Sequence, residues 1–175
     1  MKTQHQDLST SIGLLALRIG IGGFMLSHGW GKLQMLLSGN FAMFGDPIGI
    51  GTELSLVLVV VAEFLCAILV VVGFGTRLAA IPPVIAMAVA AFVAHASDPL
   101  SMETAAIQFM SGASKSWASK EPALMFLFGF LALAFTGAGR FSIDGLIAAR
   151  RERREKNLPA RNASVTGHRE LGRAI

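Results

Sequence analysis

The chain has 175 residues, 53% of them hydrophobic and only 15% charged, where a soluble domain usually carries about 25% charged residues. Nine of its fifteen Lys and Arg lie at or beyond Arg140, so what precedes that point is close to pure hydrocarbon. This excludes disorder, a collagen-like repeat and a disulfide scaffold, and argues against a soluble globular enzyme, whose small core could not bury segments this apolar.

Four stretches approach the ~20 residues that a membrane-spanning helix needs. After a polar segment, residues 1–9, the first runs from Thr10 to Trp30. It resembles a secretory signal in position only, because Arg18 interrupts its apolar region and no small-x-small cleavage site follows, so it is read as a retained helix. The second runs from Glu53 to Phe74 and the third from Arg77 to Ala96, with Pro82 and Pro83 in its first turns, where proline is tolerated. The fourth, Pro122 to Gly139, is a little short. Continuous apolar runs such as Leu56 to Ala62 lack the alternation of barrel strands, so helices are the spanning elements that satisfy the backbone in lipid. The fold class is therefore all-α, an integral membrane four-helix bundle over residues 10–146, followed by a basic tail at 147–175.

Orientation follows from the basic residues. Arg150, Arg151, Arg153, Arg154, Lys156 and Arg161 mark a cytoplasmic C-terminus, and four crossings put the N-terminus on the same side. The two longer connections, Leu33 to Thr52 and Ser97 to Glu121, face outward and read as short re-entrant or surface-lying pieces. Trp30 and Trp117 stand at the outer aromatic belt. A cationic tail behind a hydrophobic stretch suits anionic lipid headgroups better than nucleic acid.

Ionisable groups inside hydrocarbon are costly and are expected to face inward and find partners. Counted from the cytoplasmic ends at ~1.5 Å per residue, Arg18 stands about 12 Å up the first helix and Glu63 about 15 Å up the second, which predicts an Arg18–Glu63 ion pair. His28 and His95 both stand about 27 Å up, at the outer rim, where Glu121 opens the fourth helix and Lys32 lies about a turn further out. Two imidazoles and a carboxylate at one level suit proton exchange at neutral pH, the chemistry a quinone headgroup requires, and His28, His95 and Glu121 are the candidate catalytic groups. The bland alternative is that they cap helices and snorkel to water. The absence of H-x-x-H and E-x-x-H spacings argues against a metal, and no haem, flavin or nucleotide motif is present. Cys66 stands alone, which excludes a thiol pair within the chain. Gly13, Ala16, Gly20, Gly23 and Ser27 form a small-residue stripe suited to close helix approach, within the bundle or in a homo-oligomer.

Leu17-Arg18-Ile19, Ser27-His28-Gly29, Lys32-Leu33, Glu63, Gly73, Thr76-Arg77-Leu78, His95 and Glu121 together resemble the DoxX family of small bacterial membrane proteins. The closing run Thr136-Gly137-Ala138-Gly139-Arg140-Phe141-Ser142-Ile143-Asp144 is similar to that family's final signature. In it Gly137, Gly139, Arg140 and Ser142 are the motif residues, and Asp144 is placed to meet Arg77. The segment around Ala105 to Ala118 departs from the pattern. The resemblance implies a four-helix, multi-pass protein of the bacterial inner membrane. The family's namesake is a subunit of a thiosulfate–quinone oxidoreductase, and other members are linked to redox or detoxification complexes. It therefore implies a subunit that handles a quinone-like molecule beside a redox partner protein. The alternative is a non-catalytic anchor or assembly subunit whose tail docks a partner.

Overall fold

Nothing in the sequence between Leu8 and Leu37 breaks a helix, and these 30 residues wind into one, α1. At ~1.5 Å per residue it is about 45 Å long, well beyond a hydrocarbon core of ~30 Å. It ends seven residues later than Trp30, where Gly39 takes a left-handed conformation at φ 71°. The computed structural model describes residues 8–156. The first seven residues of the N-terminal segment, and the tail from 157 onward with Arg161, lie outside the described residues.

Helix α2 (Thr52–Val72) follows a connection that holds a single 3₁₀ turn, Phe41–Met43. Asp46 organises its entry, accepting from the amides of Ile50 at 3.0 Å and Gly51 at 2.8 Å and from Ser55 Oγ at 2.9 Å. Gly73 and Gly75, both at positive φ, turn the chain into α3 (Thr76–Ala94). That helix is interrupted at Ala80 and restarts at Ile81, so Pro82 and Pro83 occupy first-turn positions where no amide is required. A short helix, α4 (Met102–Met110), lies in the next connection, capped by the Ser101 hydroxyl. Helix α5 (Glu121–Thr136) is apolar but only 16 residues long. A further helix, α6, spans residues 143–156, running from the end of the expected bundle into the region expected to be a plain tail, and it carries five of the basic residues.

Among the described residues there is no strand, and three helices, α1, α2 and α3, are long and apolar enough to cross a membrane. The distribution of polarity is that of a protein in lipid. Phe24 and Phe135 are 70% and 77% exposed, whereas Arg18 and Glu63 are 1% and 2% exposed. Hydrocarbon outside costs nothing in a bilayer, while a charge outside does. The core joining α1, α2, α3 and α5 is built on Met25, Ala67, Val70, Met87, Ala91, Phe130 and Leu133.

Helices α1 and α2 approach closely at two glycines. A methyl group on Gly29 would stand 2.5 Å from the Glu63 carbonyl oxygen, and one on Gly22 would stand 2.6 Å from Val71 Cγ2. The expected stripe does not make this contact: Gly13, Gly20 and Gly23 face open space. The residues that permit close packing are seven apart, Gly22 and Gly29, on another side of the same helix.

Candidate functional site

Two local irregularities place the polar groups. Both α2 and α3 contain a π-helical stretch, Val61–Cys66 and Ala90–Ala94. Such an insertion rotates the side chains that follow it and is frequent at functional sites. Glu63 sits inside the first, and His95 closes the second, its amide bonded to the Ala90 carbonyl at 2.9 Å.

Glu63 does not meet Arg18. Lys32 Nζ donates to both of its carboxylate oxygens at 2.5 Å. The expected pairing assumed that α1 and α2 end level with each other. In fact Glu63 packs against Gly29, and the neighbour of the Arg18 guanidinium is Gly73, ten positions further on and just past the end of α2, an offset of about 15 Å. Lys32 lies three residues beyond Gly29, but side chains on a helix tilt toward its N-terminus, so the ammonium comes back onto Glu63. Because α1 continues to Leu37, Lys32 is part of the helix rather than of the connection after it.

Arg18 instead serves the opposite end of the bundle. Its Nη2 donates to the Phe141 carbonyl in the closing motif, while Nε and Nη1 have no protein partner. Ser142, buried, donates from Oγ to the Gly139 carbonyl at 2.6 Å and accepts from the Gly145 amide at 2.9 Å. The expected Arg77–Asp144 pair is also absent. Asp144 accepts from the amides of Gly75 at 2.8 Å and Thr76 at 2.9 Å, fastening α6 to the start of α3. Those two amides open a helix and have no partner within it, so they outcompete a flexible guanidinium for the carboxylate.

At the other end, a cavity of about 330 Å³ opens between α1, α2, α3, α5 and the connection before α5. His28, Lys32, Glu63 and His95 line it together with Met25, Met87, Trp117 and Phe126. The structure thus brings His28 and His95 to one chamber. His28 stands edge-on to Phe126 with ring centroids 5.5 Å apart. His95 Nδ1 is 2.7 Å from Asp98 Oδ2, which fixes the ring and leaves Nε2 as its other exchangeable nitrogen. Ser119, 5% exposed, also lines the chamber, and its hydroxyl has no protein partner.

Glu121 is not part of this group. Its Oε2 accepts from the Met102 amide at 2.8 Å, tying α4 to the start of α5, and the carboxylate of the chamber is that of Glu63. The neighbouring Lys120 Nζ donates to the Ala96 carbonyl at 2.8 Å, closing the end of α3. Among the described residues no three His, Cys, Asp or Glu side chains stand close enough to hold a metal ion. Cys66 is buried and free. Sequence reasoning missed Glu63 and Ser119 as chamber residues, and it put Lys32 about a turn beyond the rim rather than in it. The shared helix side of Met25, His28 and Lys32, at ~100° per residue, does carry through to the chamber wall.

Residues 13–96 match the DoxX family model. The match takes in Arg18, His28, Lys32, Glu63 and His95 and stops before Glu121 and the closing motif, so it is shorter than the resemblance read from the sequence. No curated protein and no solved structure matches the chain.

Proposed function

As the DoxX family member that residues 13–96 make it, the chain is a helical membrane protein, and we propose that its chamber receives a quinone-like, lipid-soluble ring. In this reading α5 is a fourth crossing. The protein lies in a bacterial inner membrane with both termini cytoplasmic, supported by the collection of Arg77, Arg140 and the α6 cations at one end. The chamber then opens at the outer interface.

The observation that carries the proposal is the convergence of two imidazoles, a Lys–Glu pair and an unpartnered hydroxyl on one chamber whose remaining walls are apolar, with three methionines, two aromatic rings, three alanines and a proline. An apolar slot with a few convergent polar groups is the usual form of a small-molecule site. Met25, Met87, Trp117 and Phe126 suit the faces of a ring. Lys32 and the Ser119 hydroxyl are donors for carbonyl oxygens. His28 and His95 each present a ring nitrogen able to accept or donate a hydrogen bond, and Asp98 holds the His95 ring in place through Nδ1. Reducing a quinone to a quinol takes up two protons and two electrons. This chain supplies the proton path, and a redox partner protein supplies the electrons.

The test is a titration of the full chain, in phosphatidylcholine nanodiscs, with a ubiquinone analogue. A Trp30→Phe background leaves Trp117 as the reporter. Saturable quenching of Trp117 is expected, weakened about ten-fold or more when His28→Ala and His95→Ala are combined, the equivalent of one or two lost hydrogen bonds. Unchanged affinity in the double variant removes the histidines from the site.

A further inference from the structure

At the Arg18 end a larger cavity, about 640 Å³, lies between the turn into α3, the closing motif and α6. Arg77 and Arg140 both line it, and among the described residues neither is ion-paired with a carboxylate. The carboxylate expected to neutralise Arg77, Asp144, is held by two backbone amides instead. The Arg77 side chain lies along Gly137, where a methyl group would stand 3.1 Å from its Nε, so the glycine leaves room for the guanidinium against the backbone. Thr76, 0% exposed, also lines the cavity, and its hydroxyl has no protein partner. The one other acid on the wall is Glu152, set among Arg150, Arg151, Arg153 and Arg154 on α6.

We propose that this cavity binds a phosphate group, presented by the headgroup of an anionic phospholipid. Two forked guanidinium groups match phosphate oxygens bidentately, and a buried hydroxyl adds a donor at the inner wall. Basic pockets at the ends of membrane helices, beside a run of four to eight cations, are suited to such headgroups, and residues 150–156 hold five. The apolar sides of α3 and α5 continue from the cavity as a surface for acyl chains, with Leu78 and Phe135 exposed beside it. This site is at the opposite end of the bundle from the proposed ring chamber, and it stands or falls independently of it.

The experiment is native mass spectrometry of the detergent-solubilised full chain titrated with phosphatidylglycerol, phosphatidylcholine or inorganic phosphate. Phosphatidylglycerol is expected to bind more tightly than phosphatidylcholine. At about five-fold per cation, Arg77→Gln with Arg140→Gln should weaken it roughly 25-fold. Arg77→Lys with Arg140→Lys, which keeps charge and loses the fork, should weaken it less, and Thr76→Val should weaken it with the charge intact. Replacing Arg150, Arg151, Arg153 and Arg154 by Gln should leave a clear preference for phosphatidylglycerol. Competition by inorganic phosphate at equal concentration would assign the site to free phosphate rather than to a lipid. Undiminished preference in Arg77→Gln/Arg140→Gln, with circular dichroism showing intact helices, would overturn the proposal.

Discussion

Replacing Lys32 by Met removes the cation that faces Glu63 and leaves a carboxylate whose side chain is 3% exposed. Breaking a buried pair from one side costs about 3–5 kcal/mol, because the remaining charge has neither water nor a partner. The reverse change, Glu63→Gln, is not equivalent. The Lys32 side chain is 28% exposed, so its long stem can carry the ammonium out to water, and the expected cost is about 1–2 kcal/mol. Removing both charges leaves no orphan, and the double variant Lys32→Met/Glu63→Gln should lie within about 1 kcal/mol of the parent. The two single costs are thus strongly non-additive, with a coupling of several kcal/mol. Unfolding in mixed micelles of rising SDS fraction, followed by helical circular dichroism, measures all four proteins. Equal single costs that simply add in the double variant would refute the assignment of Glu63 to Lys32.

Further predictions follow from the close contacts and the turns. Gly29→Ala places a methyl group 2.5 Å from a backbone oxygen that cannot rotate away, and should cost about 3 kcal/mol or more in the same unfolding assay. Gly22→Ala meets the Val71 side chain instead and should cost about half as much. Gly73→Ala is strained at φ 72° and would also overlap the Arg18 guanidinium and Ser142, so it should lower the unfolding midpoint and release the closing motif to hydrogen exchange. The amide of Gly51, with Ser55 Oγ and the amide of Ile50, holds the Asp46 carboxyl below its ordinary range against a smaller desolvation effect. Its contribution is therefore complete above the usual aspartate pKa and disappears as pH falls through the lowered value. Amide NMR shifts of Ile50 and Gly51 should titrate with a midpoint below that of an unstructured aspartate, and Asp46→Asn should abolish the titration.

Much of the helix pattern is legible in the sequence, because lipid demands long uninterrupted apolar runs and the glycine turns mark their ends. The inward burial of Arg18 and Glu63 follows from the same cost of charge in hydrocarbon. Their partners do not, because pairing depends on how far one helix slides past its neighbour. The sequence holds no direct record of that offset, and a shift of ten positions along α2 exchanges Glu63 for Gly73. The π-helical stretches before His95 and around Glu63 were equally invisible, since each side chain's direction was counted at an unbroken α-helical period. His28 and His95 do line one chamber, but the count that puts them at one level starts from helix ends that are offset, since Arg18 and not Thr10 lies beside the turn into α3. Glu121 and Asp144 illustrate a different limit. The sequence suggests Glu121 as a proton-exchanging carboxylate and Asp144 as a partner for Arg77, yet backbone amides at helix starts claim both, and these appear only once the turns are built. The Gly13, Gly20 and Gly23 stripe obeys a sound spacing rule but faces away from α2, where Gly22 and Gly29 make the contact.

The most direct test of the ring chamber is photolabelling of the full chain in lipid with an azido-quinone, followed by peptide mapping. The account predicts labels on the chamber walls, at Met25, Met87, Trp117 or Phe126, that disappear in the presence of excess unlabelled quinone. Labels confined to the outward-facing Phe24, Phe128 and Phe135, unaffected by competitor, would contradict it.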